Sequence, residues 1–159
     1  MPSKFSPKAL TRAAIIAAIY TVLTLLLAPI SYGEIQVRLS EALTLLPILV
    51  PEAIPGVTLG CLLANIFGGA MLPDIIFGTL ATFLAALCTY HLRAKYWLAA
   101  SMPVLFNGII VGAVVHFCYA PAVPLLLCCL FVAIGEAISC YVAGTILIKV
   151  IKKLPLPDK

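Results

Sequence analysis

Apolar residues run along this chain in long blocks, separated by short polar or Pro/Gly-rich stretches. The blocks predict six helices, over about 7–28, 38–50, 57–68, 75–92, 96–118 and 125–151. Pro29, the PEAIPG stretch at 51–56, Gly68-Gly69 with Leu72-Pro73-Asp74, and the YAPAVP stretch at 119–124 mark the breaks. A helix that crosses a membrane takes about 20 residues, so the second and third blocks are too short to cross unaided. The pattern shows no internal repeat and no low-complexity segment.

One stretch departs from this pattern. Residues 32–47, YGEIQVRLSEALTLLP, place Glu34, Gln36, Arg38 and Glu41 between two apolar blocks. A charge at the centre of a membrane helix costs roughly 2.5–3.5 kcal/mol, so charges this close to the bilayer usually mark a working site. Arg38 and Glu41 are three apart and share a helix face. The reading is an outer loop, about 29–37, that closes over a site, followed by a helix that carries Arg38 and Glu41 into it.

Composition settles the class. Of the 159 residues, 64% are hydrophobic and 10% charged, against about 25% charged in soluble domains. The expectation is an all-α integral membrane protein: a single domain, 1–159, of six transmembrane helices with almost no chain left for a soluble part. The basic N-terminus followed by an apolar run has the look of a signal peptide. The run is longer than a signal peptide's apolar core and further blocks follow, so it reads as a retained first helix. The net charge of +4 does not indicate nucleic acid, because the basic residues follow topology. Lys4, Lys8, Arg12, Arg93, Lys95, Lys149, Lys152, Lys153 and Lys159 all fall on one side of a six-helix arrangement, and Arg38 alone on the other. Excess Lys and Arg mark the cytoplasmic side, which predicts both termini inside, with Tyr96 and Trp97 in the interfacial aromatic belt.

The remaining polar groups then cluster by depth. Glu34, Gln36, Arg38 and Glu41 lie at the outer end, as do Asn65 on the third helix and Asp74 at the start of the fourth. Asn107 is about midway along the fifth. Glu136 lies eleven residues below the outer end of the sixth, or roughly 16 Å at the helical rise. Glu52, in a turn, is the one inner acid. This is the pattern of a cup open to the outside, and the candidate substrate-binding set is Gln36, Arg38, Glu41, Asn65, Asp74, Asn107 and Glu136. Structural readings stand beside it. Arg38 and Glu41 make a plausible helix salt bridge, Asn65 and Asn107 plausible interhelical hydrogen-bond partners, and Asp74 a plausible helix N-cap. Glu136, in mid-membrane with no base near it in sequence, has no such simple account. His91 reads as interfacial; His116 is open.

The six cysteines lie in or beside apolar blocks with no C-x-x-C spacing, which reads as packing rather than a metal site or disulfides. The chain has no P-loop, no H-E-x-x-H and no G-x-S-x-G, so no catalytic residue, metal or cofactor is expected. Gly108 and Gly112 form a GxxxG, and Ala13, Ala14, Ala17 and Ala18 give the first helix a small-residue face; both spacings favour close helix approach.

Several of these residues fall in motifs with a resemblance. Gly33-x-x-Gln36-x-Arg38-x-Ser40-Glu41-Ala42-Leu43-x-x-Leu46-Pro47, Asn65-Ile66-Phe67-Gly68-Gly69 and Asp74-x-x-Phe77-Gly78-Thr79-Leu80-Ala81-Thr82 resemble the QueT family, as do Pro103-x-x-x-Asn107-Gly108 and Gly135-Glu136. The likeness covers essentially the whole chain. It implies an S-component-like bundle: the substrate-binding subunit of an energy-coupling factor (ECF) transporter that takes up precursors of the tRNA base queuosine. It further implies six helices, an outward cup lidded by the first outer loop, and a complex with one membrane-embedded coupling subunit and two ATPase subunits. In that class the small-residue face of the first helix docks on the coupling subunit; Ala14 and Ala18 occupy that pattern, with Ala13 and Ala17 beside them.

The residues suit such a ligand. A 7-deazaguanine presents two donors, N1–H and the 2-amino group, beside the acceptor O6. Glu41 or Glu136 can accept the donors, an Asn or Arg38 can donate to O6, and a cationic aminomethyl substituent calls for a second acid. Phe67 or Phe106 is placed to cover a ring face, though packing explains both. Two rival classes are a small membrane enzyme built on Glu41, Glu136 and Arg38, which lacks any nucleophile–base pair, and a stand-alone proton-coupled carrier titrating at Glu136.

Overall fold

The structure, a computed structural model, describes residues 6–31 and 37–153. Among these the regular elements are all helices, joined by short turns. The first helix is Pro7–Leu26, with Pro7 in its first turn and the Ser6 hydroxyl accepting from Ala9 N–H at 3.2 Å. The second is Leu39–Ile48, the third Ala53–Phe67 and the fourth Leu72–His91. The fifth is Tyr96–Tyr119 and the sixth Leu125–Lys153. The third and fourth begin earlier than the sequence pattern predicts, because Pro55 and Pro73 lie inside first turns instead of before them. Proline is tolerated there, since its missing N–H would have no helical partner.

The first, fourth, fifth and sixth helices are long and apolar enough to cross a membrane. Their outer surfaces are apolar: Leu10, Leu26, Phe117 and Leu126 are each at least 70% exposed. Exposed side chains of this kind are what lipid solvates, and the chain reads as a multi-pass membrane protein. The helices alternate in direction. Arg12 near the start of the first meets Glu52 in the turn between the second and third at 3.8 Å. At the other end, Tyr119 closing the fifth helix accepts from Met71 N–H at 2.9 Å, just before the fourth.

The second helix occupies the centre. It is of 3₁₀ type, and residues 40–47 are all buried. It touches each of the other five helices. Its ten residues rise about 20 Å at 3₁₀ pitch, short of the roughly 30 Å hydrocarbon core. Long 3₁₀ runs are uncommon because their hydrogen bonds are poorer; here the surrounding helices supply the stability. Pro47 lies inside the helix, and the Thr44 hydroxyl donates to Glu41 O at 2.5 Å. Leu43, Leu45 and Leu46 anchor an apolar core with Val57, Cys61, Ala86, Ala100, Cys140 and Ile148.

Small residues set the close approaches. A Cβ on Gly112 would lie 2.5 Å from Cys129 Cα, and one on Gly108 3.1 Å from Ala133 Cβ, so the GxxxG of the fifth helix seats the sixth. A second GxxxG, Gly56 and Gly60 of the third helix, seats the first: added Cβ atoms would meet Ala13 O at 2.9 Å and Tyr20 Cβ at 2.7 Å. Sequence reasoning singled out the first of these motifs and missed the second.

Candidate functional site

The buried polar groups meet around the second helix. Arg38, Glu41, Asn65, Asp74, Asn107 and Glu136 come from five helices, and none is more than 3% exposed. Gln36 lies outside the described residues, as does most of the outer loop.

At the end where the fourth helix begins, Arg38 Nη2 lies 3.9 Å from Asp74 Oδ2. Tyr119 donates to the same carboxylate oxygen at 3.2 Å. Asn65 Nδ2 donates to Asp74 O at 3.4 Å and lies 3.7 Å from Cys61 Sγ, which ties the third helix to the fourth. Gly78 leaves room for both: a Cβ there would lie 3.0 Å from Asp74 Oδ1 and 3.2 Å from Asn65 Nδ2. The N-cap reading of Asp74 is corrected. Met71 occupies the cap and Asp74 lies in the first turn, so its carboxylate faces Arg38 and Tyr119 instead of the helix's own amides.

Deeper in the bundle, Glu41 Oε1 accepts a hydrogen bond from Tyr20 of the first helix, and Thr82 Oγ1 of the fourth lies 3.4 Å from the same oxygen. Asn107 stands beside Glu41 and Glu136 without a hydrogen bond of regular geometry to either. Six buried atoms of this group have no hydrogen-bond partner among the described residues: Glu41 Oε2, Glu136 Oε2, both polar atoms of the Asn107 amide, Asn65 Oδ1 and Asp74 Oδ1. Each such atom costs roughly 1–3 kcal/mol. Folded proteins hold only a few per hundred residues. Their concentration at one place makes this cluster the candidate site. It offers carboxylate acceptors, one amide that both donates and accepts, and a guanidinium nearby, a set able to pair with several donors and acceptors at once.

Other candidates fall elsewhere. Glu52 is at the opposite end with Arg12. His91 contacts its own helix at Leu87 O and His116 contacts Val123 O, each at 2.8 Å. Phe106 packs against the cluster of Ala81, Val111 and Val132, and Phe67 is largely exposed. The four alanines of the first helix divide. Ala17 is buried and Ala13 half-buried, both against the third helix, whereas Ala14 and Ala18 are exposed. The backbone of Ala13 and Ala17 is packed on Gly56 and Gly60, which leaves Ala14 and Ala18 as the exposed pair.

Sequence reasoning missed Tyr20, and took Gly78 and Thr82 only as motif positions, without a place beside the polar cluster. The signal was present as helical spacing. Ala17, Tyr20, Thr21 and Thr24 form the buried stripe of the first helix, and Asp74, Gly78, Ala81, Thr82 and Ala85 that of the fourth. A stripe of small and hydroxyl residues in an apolar helix marks the face turned towards protein.

A bundle of apolar helices closed around a buried polar cluster is the architecture of a multi-pass membrane protein. The model of a family described as QueT transporter matches residues 10–153. The chain belongs to that family, whose members are transporters and not enzymes. It is similar to a protein of Lactococcus lactis subsp. cremoris (strain MG1363) named Queuosine precursor transporter QueT, with 28% identity over 156 residues, covering 90% of this chain and 92% of the relative. No solved structure matches the chain.

Proposed function

We propose that this protein is the substrate-binding S component of an ECF-type transporter. It captures a queuosine precursor, a 7-deazaguanine such as queuine or its aminomethyl precursor, from outside the cell. A membrane-embedded coupling subunit and two ATPase subunits then drive uptake. The observation that carries the reading is the set of buried, unused acceptors on Glu41, Asn107 and Glu136. A ligand with two aligned N–H donors and one acceptor supplies what those atoms lack, and a buried site of this kind rejects analogues that leave its groups unpaired. Arg38, Asn65 and Asp74 extend the site, with Gln36 in the loop above it. The name of the relative supports the ligand class. The absence of a P-loop from the sequence is why ATP hydrolysis falls to partners.

The test has two arms. Protein purified in detergent is titrated calorimetrically with 7-deazaguanine, and tagged protein from native membranes is probed for an ATPase pair. Saturable binding with co-purified ATPases is expected. Binding and uptake by the chain alone in vesicles would instead support a stand-alone carrier, and absence of binding would sink the ligand assignment.

In this reading all six helices cross the membrane, the short second and third borrowing depth from their neighbours, and both termini face the cytoplasm. The nine-to-one division of basic residues supports that orientation. Cysteine labelling from the outside is expected to leave both termini unmodified; labelling at the C-terminus would end the six-crossing arrangement.

A further inference from the structure

The first helix has two faces with different tasks. Ala14, Ile15, Ala18 and Ile19 point outward, while Ala17, Tyr20, Thr21 and Thr24 are buried. Gly60 lets the third helix come so near that the Tyr20 Cβ fills the place of a glycine side chain. Tyr20 is thereby fully buried, and its hydroxyl reaches across to Glu41 Oε1. Thr82 approaches the same oxygen from the fourth helix. The terminal torsion of a glutamate is broad and soft when free. Two hydroxyls from different helices on one oxygen remove that freedom and leave Oε2 as the oxygen with no partner among the described residues.

We infer that Tyr20 is a positioning residue that determines ligand specificity. It holds Glu41 by one oxygen so that the other is presented, in a fixed direction, to the 2-amino N–H of the substrate. This rests on the reading of Glu41 as a ligand acceptor. Glu41 is then a one-oxygen reader, and the second donor of a guanine-type edge falls to Asn107 or Glu136 beside it. A fixed acceptor penalises a ligand that lacks the matching donor, because the carboxylate cannot turn to find another partner. A free carboxylate can turn, and loses that discrimination. Preorganisation of this kind raises affinity for the right ligand by lowering the ordering cost of binding.

The experiment compares 7-deazaguanine with 7-deazahypoxanthine, which lacks the 2-amino group, by calorimetric titration of detergent-purified protein. In Tyr20→Phe, an isosteric change, affinity for 7-deazaguanine is expected to fall roughly tenfold and affinity for 7-deazahypoxanthine by less than about threefold, so selectivity collapses. Thr82→Val is expected to give the same signature at smaller size. Thr24→Val removes a different contact between the first and second helices, the 2.7 Å hydrogen bond to Ser40, and is expected to leave the selectivity ratio at the parent value. Equal losses for both ligands in Tyr20→Phe would reduce Tyr20 to packing and overturn the inference, as would parent-like binding of both. Parent-like binding by Glu41→Gln would instead remove Glu41 from the site altogether, which is a different failure.

Discussion

At least one of Glu41→Gln and Glu136→Gln is expected to weaken binding of a 7-deazaguanine by tenfold or more, about 1.4 kcal/mol. The two carboxylates come from the second and sixth helices and are both buried, with Asn107 between their elements and beside each. Each keeps one oxygen without a hydrogen-bond partner among the described residues. Glutamine preserves shape and volume but replaces one acceptor with a donor. At Glu41 that change also faces the Tyr20 and Thr82 hydroxyls with a group that can donate where they need an acceptor. Donor against donor at a buried ligand edge loses one hydrogen bond and strands another, and the stranded group costs more than the lost bond. Arg38→Lys is expected to weaken binding too, because an ammonium cannot reproduce the planar two-donor fork of a guanidinium. Calorimetric titration of the three variants decides the matter. Parent-like affinity in both glutamate variants would show that these acids are structural.

The second large effect separates binding from uptake. Ala14→Trp and Ala18→Trp are each expected to leave 7-deazaguanine affinity within about threefold of the parent while reducing uptake more than about tenfold. Both alanines are exposed and lie outside the buried stripe of Ala17, Tyr20, Thr21 and Thr24, so their side chains do not enter the polar cluster. The first helix is also the least enclosed of the four long ones. A small-residue surface lets a partner helix approach closely, and an indole there forces the two apart. Uptake in cells that also carry the proposed coupling and ATPase partners, set beside calorimetry on the purified protein, provides the comparison. Variants that both bind and transport like the parent would exclude this face as the docking surface.

The long helices were legible because lipid demands long apolar runs; the starts of the third and fourth were not, because Pro55 and Pro73 lie inside first turns and do not precede them. The 3₁₀ geometry of the second helix was not. Its apolar pattern fits an α-helix equally well, and only enclosure by five neighbours makes the tighter coil tolerable. The acids were legible because a charge inside an apolar block is too costly to keep without a task. Tyr20 and Thr82 were not: a threonine sits cheaply in a membrane helix by bonding its own backbone, as Thr21 and Thr24 do, and a lone tyrosine in an apolar block reads as packing. Asp74 was legible as a candidate, but its only structural alternative was a local one, the helix N-cap. Its partner, Arg38, is 36 positions away in the chain, and sequence spacing carries no information about a pairing of that range.

The enclosed second helix also bears on how the chain reaches its native form. A ten-residue segment preceded by an arginine and carrying a glutamate gains too little from lipid to offset charges costing roughly 2.5–3.5 kcal/mol each. It cannot enter the bilayer as an autonomous unit before docking, as ordinary membrane helices do. Its insertion is an act of assembly: the sheath formed by the neighbouring helices must exist, at least in part, before the rod can be threaded into it. The polar centre and the completed bundle therefore come into being in the same step.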